Sequence, residues 1–446
     1  MSRSLRVWSE SVPSEVVLPS ALTPVIEECA GLGRAFSEAG ARLFLVGGIV
    51  RDAFEGRTLD DPDVDFTTDA LPQQIRSLVA PFASALWTQG ERFGTIGLQV
   101  GARLVEITTH RSEIYRSDSR QPVVEFSREV EADLARRDFT VNAMAVEVTG
   151  PARLIDPFGG LADLRARRLR TPIGAGVSFS DDPLRMLRAA RFIAGYGLEP
   201  DADVAAAVAT MADRLAIVSV ERSREELAKL LAVDDPRPGL WFLQRSGLLA
   251  MLVPELGDTD ADADADAEGG FEGGFDHVAR VANEPMRRLA TLLAPLGTRT
   301  RAAATLRALR CSNEVVATVS KTVGALALVW EMGERPSAGA LRRCSVAVPD
   351  MDALLDVAAA LASTPQRRAI VDAVRAGVAQ LAATEDLAHP EPALDGDAVM
   401  ALLSVGPGRA VGEAIAFLRE RRLDDGPRSA AEETALLLEW AANRSP

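Results

Sequence analysis

The sequence predicts an α+β protein, a head built on a mixed sheet followed by an all-α remainder. Two observations lead there. Short β-rich runs bounded by turn residues lie at 43–46, 63–67, 95–100, 104–109 and 142–148, with a helix at 72–79 among them. From Asp182 onward that alternation ends. Ala-, Leu- and Arg-rich helical segments broken by Pro and Gly replace it, as at 219–231, 239–246, 300–309 and 351–362.

Ahead of the first strand, Pro13 and Pro19 mark an extended arm over residues 1–24, and the next segment reads as one helix over 24–41. Residues 43–46 form an apolar run that ends at Gly47-Gly48, where backbone amides can approach an anion with no Cβ in the way. Arg51 then offers a planar fork to phosphate oxygens. In Asp63-Val64-Asp65-Phe66 side chains alternate faces, so Asp63 and Asp65 project together while Val64 and Phe66 enter the core.

Two carboxylates on one face call for a cation. Mg²⁺ suits the pair, because it takes few protein carboxylates and fills its shell with phosphate oxygens; two such ions can serve both ends of an in-line displacement. An isolated Asp-x-Asp in a solvated loop is the plain alternative. Glu106, the one acid in the apolar alternation of 104–108, is either a third acid beside the metals or a half-exposed strand glutamate with an ion-pair partner.

Two further blocks weigh against a solvated loop. One is Asp133-Leu134-Ala135-Arg136-Arg137-Asp138-Phe139-Thr140-Val141-Asn142-Ala143-Met144-Ala145; the other is Ser180-Asp181-Asp182-Pro183-Leu184-Arg185-Met186-Leu187-Arg188-Ala189-Ala190-Arg191, with Asp156-Pro157-Phe158-Gly159-Gly160 between them. In this order the motifs resemble the class II tRNA nucleotidyltransferase and poly(A) polymerase family across about residues 25 to 256.

The resemblance implies a polymerase-β-like nucleotidyltransferase head over 25–178, a helical neck over 179–256 and a helical body and tail over 277–446, elongated overall. It implies template-independent addition of C and A to tRNA 3′ ends from CTP and ATP, with Asp63 and Asp65 as catalytic metal ligands. Gly47, Gly48, Arg51, Arg137, Asp138, Asn142, Asp182, Arg185, Arg188 and Arg191 are the implied nucleotide-binding set. A partial CC- or A-adding enzyme, a poly(A) polymerase, and a catalytically retired RNA-binding protein are the alternatives.

Charge supports a ligand at the second block. Asp182-Pro183 is good helix-start chemistry, yet Arg185, Arg188 and Arg191 load the first turns with positive charge, which the macrodipole disfavours by about 0.3–1 kcal/mol each. A bound anion removes that conflict. Asp182 and Arg185, at i and i+3, can form a planar edge that accepts from the exocyclic amine shared by cytosine and adenine and donates to a ring acceptor. Asp181 is a departure, since many family members carry Glu there. The polar segment 111–122 reads as a mobile loop, which in the family helps set nucleotide choice.

Net charge of −15 argues against general adhesion to nucleic acid, but much of it lies in one stretch. From Glu255 to Asp276 acids meet no Lys or Arg, and 257–276 reads as an acidic low-complexity linker rather than a calcium loop. Cys29, Cys311 and Cys344 are widely spaced and read as buried free thiols. No apolar run reaches the roughly 18 residues needed to cross a membrane, and residues 1–10 lack a signal-peptide core, so a cytoplasmic protein without a membrane partner is expected.

Relatives often carry a phosphohydrolase domain built on a His … His-Asp … Asp metal set. This chain has His110, His277 and His389 and no His-Asp dipeptide, so 277–446 is expected to be a degenerate version without metal ligands. His277 is either a remnant of the first ligand or a structural side chain. The Arg clusters at 299–301, 342–343, 367–368 and 419–422 are either contacts for the tRNA acceptor stem and elbow or solvated helix faces.

Overall fold

The structure, a computed structural model, describes residues 16–59, 63–114, 123–257 and 275–443. Two compact units divide at 217/218, inside the segment expected to be the neck.

The first unit is built on a seven-stranded sheet. Its strands are β1 (Leu43–Val46), β2 (Asp63–Thr68), β3 (Ala85–Trp87), β4 (Thr95–Val100), β5 (Arg103–Thr109), β8 (Ala145–Glu147) and β9 (Arg153–Ile155), in the order β3-β4-β5-β2-β1-β8-β9. The strands β6 (Arg111–Ile114) and β7 (Val123–Phe126) form a separate hairpin, so the loop expected over 111–122 opens instead as a paired strand at 111–114, and its remainder, 115–122, lies outside the described residues. Only β2 and β5 run parallel; every other pair in the seven-stranded sheet is antiparallel, so the sheet is mixed as expected.

The helices of this unit are α1 (Leu22–Glu28), α2 (Ala30–Glu38), α3 (Gly48–Phe54), α4 (Pro72–Val79), α5 (Val130–Ala135), α6 (Gly160–Arg165), α7 (Ala175–Asp181), α8 (Leu184–Tyr196) and α9 (Ala202–Met211), and α10 (Val220–Leu231) opens the second unit. Pro72 opens α4, and the Gln74 side chain accepts from the Leu71 N–H at 3.0 Å, replacing a partner the first turn lacks. α4 lies against β4 and β5, and α2 against α4 and β1. Beneath them Val64, Phe66, Ile96, Leu98, Val105 and Ile107 are buried. The opposite face of β2 and β5 carries exposed Asp63, Asp65 and Glu106.

Two expected elements in this unit change. The helix over 24–41 is two helices that meet at Cys29, and a Cβ on Gly33 would stand 2.6 Å from the Val148 carbonyl oxygen. The second helix therefore packs too closely on the sheet to carry a side chain there. The strand over 142–148 shortens to β8, because Thr140–Asn142 is a 3-10 turn. Asn142 spends its side chain on partners outside the sheet, described below.

The second unit is helical throughout its described residues. Ser219 opens α10 by accepting from the Arg222 N–H. Buried Arg288 donates to the carbonyls of Leu231, Val233 and Asp234, satisfying the end of that helix and the loop beyond it. The helix Asn313–Met332 corrects the expectation about apolar runs: its 20 residues and mean hydropathy of 1.4 are long and apolar enough to cross a membrane. It buries Val316, Val319, Val323, Leu326 and Val329 against neighbouring helices, as a core helix does.

Phe275 and Asp276, assigned above to the linker, belong to the folded unit. Phe275 is buried edge-on against Trp241, and Asp276 pairs with Arg237 at 3.0 Å. Residues 258–274 lie outside the described residues. His277 Nδ1 sits 2.9 Å from the Ala360 carbonyl oxygen, a structural contact. Several arginines of the clusters read either as RNA contacts or as solvated faces are committed within the protein. Arg342 is buried against Glu385 at 3.0 Å, Arg343 pairs with Glu420 and Asp424, and Arg419 with Glu391. Cys29, Cys311 and Cys344 are free, the first and last buried and Cys311 partly exposed.

Candidate active site

The site begins at the sharp exit from β1. Gly47 has φ +80°, and a Cβ there would lie 3.2 Å from Arg137 Nη1 and 3.7 Å from Asp65 Oδ2. This glycine therefore brings together the Gly-Gly turn, the acidic strand and the Arg-Arg-Asp block. A Cβ on Gly48 would face Arg51 Nη2 at 3.4 Å.

Parallel pairing sets the acids. Asp65 stands opposite Glu106 and Asp63 opposite Leu104, so three carboxylates share one exposed face of adjacent strands. Partial burial, and then the nearby charges of Asp65 and Asp63, raise the Glu106 carboxyl above its ordinary range. Among the described residues no group of three or more His, Cys, Asp or Glu side chains forms a ready metal cage. An all-oxygen donor set of this kind suits a hard cation that completes its shell elsewhere.

The next layer is a buried polar network around the Arg-Arg-Asp block. Asp133, fully buried on α5, accepts from Arg136 Nε and Nη2 at 3.0 and 2.6 Å and from Arg137 Nη2 at 3.4 Å. Burial alone would raise its carboxyl, but the Arg136 and Arg137 charges outweigh burial and hold it low. Asp138 Oδ1 accepts from the Phe139 N–H at 2.8 Å and from Asn142 Nδ2 at 2.9 Å. Asn142 Oδ1 in turn accepts from Arg51 Nη1 at 2.5 Å.

Arg51 is placed otherwise than expected. It is 6% exposed, donates Nε and Nη2 to Asp52 at 2.9 and 3.0 Å, donates Nη2 also to Tyr196 Oη, and stacks 4.1 Å from the Tyr196 ring centroid. Its fork braces α3 against α8 instead of opening to phosphate.

The intervening Asp156–Gly160 block supports this network from behind. Asp156 caps α6 by accepting from the Gly160 and Leu161 N–H groups at 2.6 and 2.9 Å. Asp163 holds Thr140 Oγ1 at 2.7 Å, fixing the turn that presents Asn142.

On α8, Arg185, Arg188 and Arg191 are partly exposed and recur every three residues, while Met186, Leu187, Ala189, Ala190 and Phe192 are buried. The helix starts at Leu184, whose N–H donates to Asp182 Oδ1 at 3.2 Å, so Asp182 caps it across Pro183. Arg185 donates Nη1 to Ser178 Oγ at 2.8 Å and Nη2 to the Arg136 carbonyl oxygen. Arg188 pairs with Asp138 at 2.7 Å, and Arg191 lies 4.9 Å from the Phe192 ring centroid.

Sequence reading missed Asp133, Ser178 and Tyr196 as organisers of these arginines. Asp133 lay inside a quoted block, so an acid three and four residues ahead of an Arg pair was an available signal. For Ser178 and Tyr196 there was none.

Comparison with known proteins matches this architecture. Residues 43–170 match the Poly A polymerase head domain family, and residues 197–259 match the family described as the probable RNA and SrmB-binding site of polymerase A. The CCA-adding enzyme of Geobacillus kaustophilus is 36% identical over 232 residues, 52% of this chain and 55% of that protein. That of Lactococcus lactis is 38% identical over 255 residues, 56% of this chain and 59% of its own length. The alignments thus span little more than half of these curated relatives. The crystal structure of the Bacillus stearothermophilus CCA-adding enzyme in complex with CTP aligns over 94% of this chain and 98% of that one, with a TM-score of 0.69 and 28% identity. By its head, its site motifs and these likenesses, the chain carries a Poly A polymerase head domain over residues 43–170 and is similar to CCA-adding enzymes.

Proposed function

We propose that the protein is a tRNA nucleotidyltransferase that adds C and A to tRNA 3′ ends from CTP and ATP. In the reaction the 3′-hydroxyl oxygen forms a bond to the α-phosphorus, the α–β bridging bond breaks, and pyrophosphate leaves. The observation that carries this reading is Gly47 wedged between Asp65 and Arg137, joining a polyphosphate turn to a carboxylate pair. The relatives named CCA-adding enzymes, and the similar structure holding CTP, support the choice of substrates.

Asp63 and Asp65 would hold a divalent cation, Mg²⁺ in this reading, with Glu106 as the further acid. The donor chemistry fits, since all three are hard oxygen ligands whose crowding already raises Glu106. Such a cation neutralises charge developing on the phosphate oxygens. Arg137 and the Gly47-Gly48 turn face the triphosphate, Arg188 and Asn142 position Asp138, and Asp182 with Arg185 reads the base edge. Ser178 and the Arg136 carbonyl hold Arg185 in a fixed pose, which suits discrimination without a template. Arg51 serves as a brace for this layer.

In the same reading, 179–256 is a neck and 277–446 a body and tail that hold the acceptor stem and elbow, acting in the cytoplasm. The RNA-binding match over 197–259 supports the neck assignment, and the three free thiols suit a reducing compartment.

The deciding experiment offers the purified protein tRNA ending before CCA, in C, and in CC, with each labelled nucleotide separately. CMP addition to the first two and a single AMP to the third supports the proposal. CMP alone, AMP alone or long AMP tails identify the partial enzymes or a poly(A) polymerase, and no incorporation with retained tRNA binding identifies a retired binder.

A further inference from the structure

Two substrates must meet at Asp63 and Asp65, and the strand order separates the ground available to each. On one side of β2 lie β1, which runs into Gly47, and β8, which follows the Arg137–Asn142 turn. Arg137, Asp138 and Asn142 belong to that turn, and Arg185 and Arg188 bond to Arg136 just before it and to Asp138 within it. The other flank, β5, β4 and then β3, carries no such group.

The register defines what this second flank presents. Asp65 is opposite Glu106, Glu106 is opposite Gly97, and Gly97 is opposite Trp87. Residues directly opposite in neighbouring strands project to the same face. One row across four strands therefore carries a carboxylate, a carboxylate, no side chain, and an indole. The indole lies beside the gap, since a Cβ on Gly97 would stand 3.4 Å from Trp87 Cε3. Trp87 is 40% exposed on the edge strand. At the same edge Phe93 is 44% exposed, with the exposed Arg92 guanidinium 4.5 Å from its ring centroid.

A lone exposed tryptophan is ordinary on a protein surface. This one shares a row with the reacting acids, next to a position cleared of side chain, with a cation and a second aromatic ring on the adjoining turn. Aromatic faces and arginines in that combination suit single-stranded nucleic acid.

We propose that Trp87 is a stacking platform for a base near the 3′ end of the polynucleotide acceptor, and so a positioning residue for the attacking hydroxyl. The proposal rests on the nucleotidyltransferase reading above. Three strand steps of about 4.8 Å place the Trp87 backbone about 14 Å from that of Asp65. At about 3.4 Å per stacked nucleotide, this reaches a base within the last four or so.

The test uses the full chain with Trp87→Ala and Trp87→Phe, and single-stranded-ended tRNA acceptors with one abasic position placed at each of the last four nucleotides. Thermal melts show that the variants fold. Equilibrium binding of a fluorescent acceptor is read alongside steady-state incorporation, so the platform is tested even if the chain incorporates nothing. Loss of one aromatic stack is expected to weaken acceptor binding and raise its KM about tenfold, leaving the KM for nucleotide in place. Trp87→Phe recovers most of the loss, and on one abasic acceptor Trp87→Ala costs nothing further. Unchanged acceptor binding in Trp87→Ala, or an equal penalty on every abasic acceptor, overturns the platform. A wild-type protein that binds acceptor through Trp87 but incorporates nothing overturns the reaction assignment instead.

Discussion

Arg188 sets Nε and Nη2 at 2.8 and 2.7 Å from a single oxygen, Oδ2 of buried Asp138, and so ties α8 to the turn before β8. Helix α8 and the Arg-Arg-Asp block are therefore tied by a charged contact, and the cost of separating them is electrostatic.

Acid stability follows from that pair. Burial pushes the Asp138 carboxyl up, but the Arg188 charge and the Asn142 donor prevail and hold it well below the usual carboxylate range. A carboxyl lowered on folding contributes stability that is complete above its unfolded value of about 3.9 and is lost as pH falls through the folded value. Asp138→Asn should flatten the loss of urea midpoint below about pH 4. It should also lower stability at neutral pH by about 1–3 kcal/mol, because Arg188 loses its partner at a half-buried site.

The acidic row predicts opposite changes in stability and turnover. Asp63→Ala or Asp65→Ala should abolish incorporation and leave acceptor affinity largely intact; substantial remaining turnover would refute the metal role. Glu106 is raised by burial and by its two neighbours, so its ionised form is strained at neutral pH when no cation is bound. In EDTA, Glu106→Gln should therefore melt higher than wild type. Adding Mg²⁺ should stabilise wild type more than the variant, and incorporation by the variant should fall. A variant that melts lower in EDTA contradicts the crowding.

Base choice should depend on a residue that never touches the base. Ser178 is buried on α7 and accepts from Arg185 Nη1 at 2.8 Å. Arg185→Ala should relax discrimination of C and A against U and G more than it weakens triphosphate binding. Ser178→Ala should relax it in the same direction by a smaller factor, through lost orientation. Misincorporation measured with each nucleotide alone tests both, and unchanged selectivity in Arg185→Ala removes it from the base-reading edge.

These residues also show how far the sequence could be read. Asp63 and Asp65 were legible because strand periodicity alone puts alternate residues on one face, and the apolar Val64 and Phe66 identify the other. Asp182 was legible as the residue that starts α8, because an acid ahead of Pro and an apolar helical run is helix-start chemistry, and its Oδ1 accepts from the Leu184 N–H. Arg51 was misread because its partners Asn142 and Tyr196 lie 91 and 145 positions away, a convergence no local pattern encodes. The run 142–148 was apolar enough for a strand, yet tertiary hydrogen bonds to Asn142 turned its start into a 3-10 turn. Strand β3, with Trp87, has three residues, too few to display alternation.

Two glycines should separate scaffold from chemistry. At Gly160 a Cβ would stand 2.1 Å from the Thr140 carbonyl oxygen, a backbone atom with nowhere to retreat, so Gly160→Ala must displace α6 or the Asn142 turn. Overpacking of that kind costs about 1–3 kcal/mol or more, and a lowered melting temperature should accompany any loss of activity. At Gly47 the obstacle is milder for the fold and worse for the reaction. A backbone at φ +80°, ψ −138° costs an alanine on the order of 1–3 kcal/mol, while the atoms its Cβ meets are Arg137 Nη1 at 3.2 Å and Asp65 Oδ2 at 3.7 Å. Gly47→Ala should therefore lose incorporation by a far larger factor than its modest drop in melting temperature explains. Equal effects of the two substitutions on melting and turnover would show that Gly47 is no more than a turn residue.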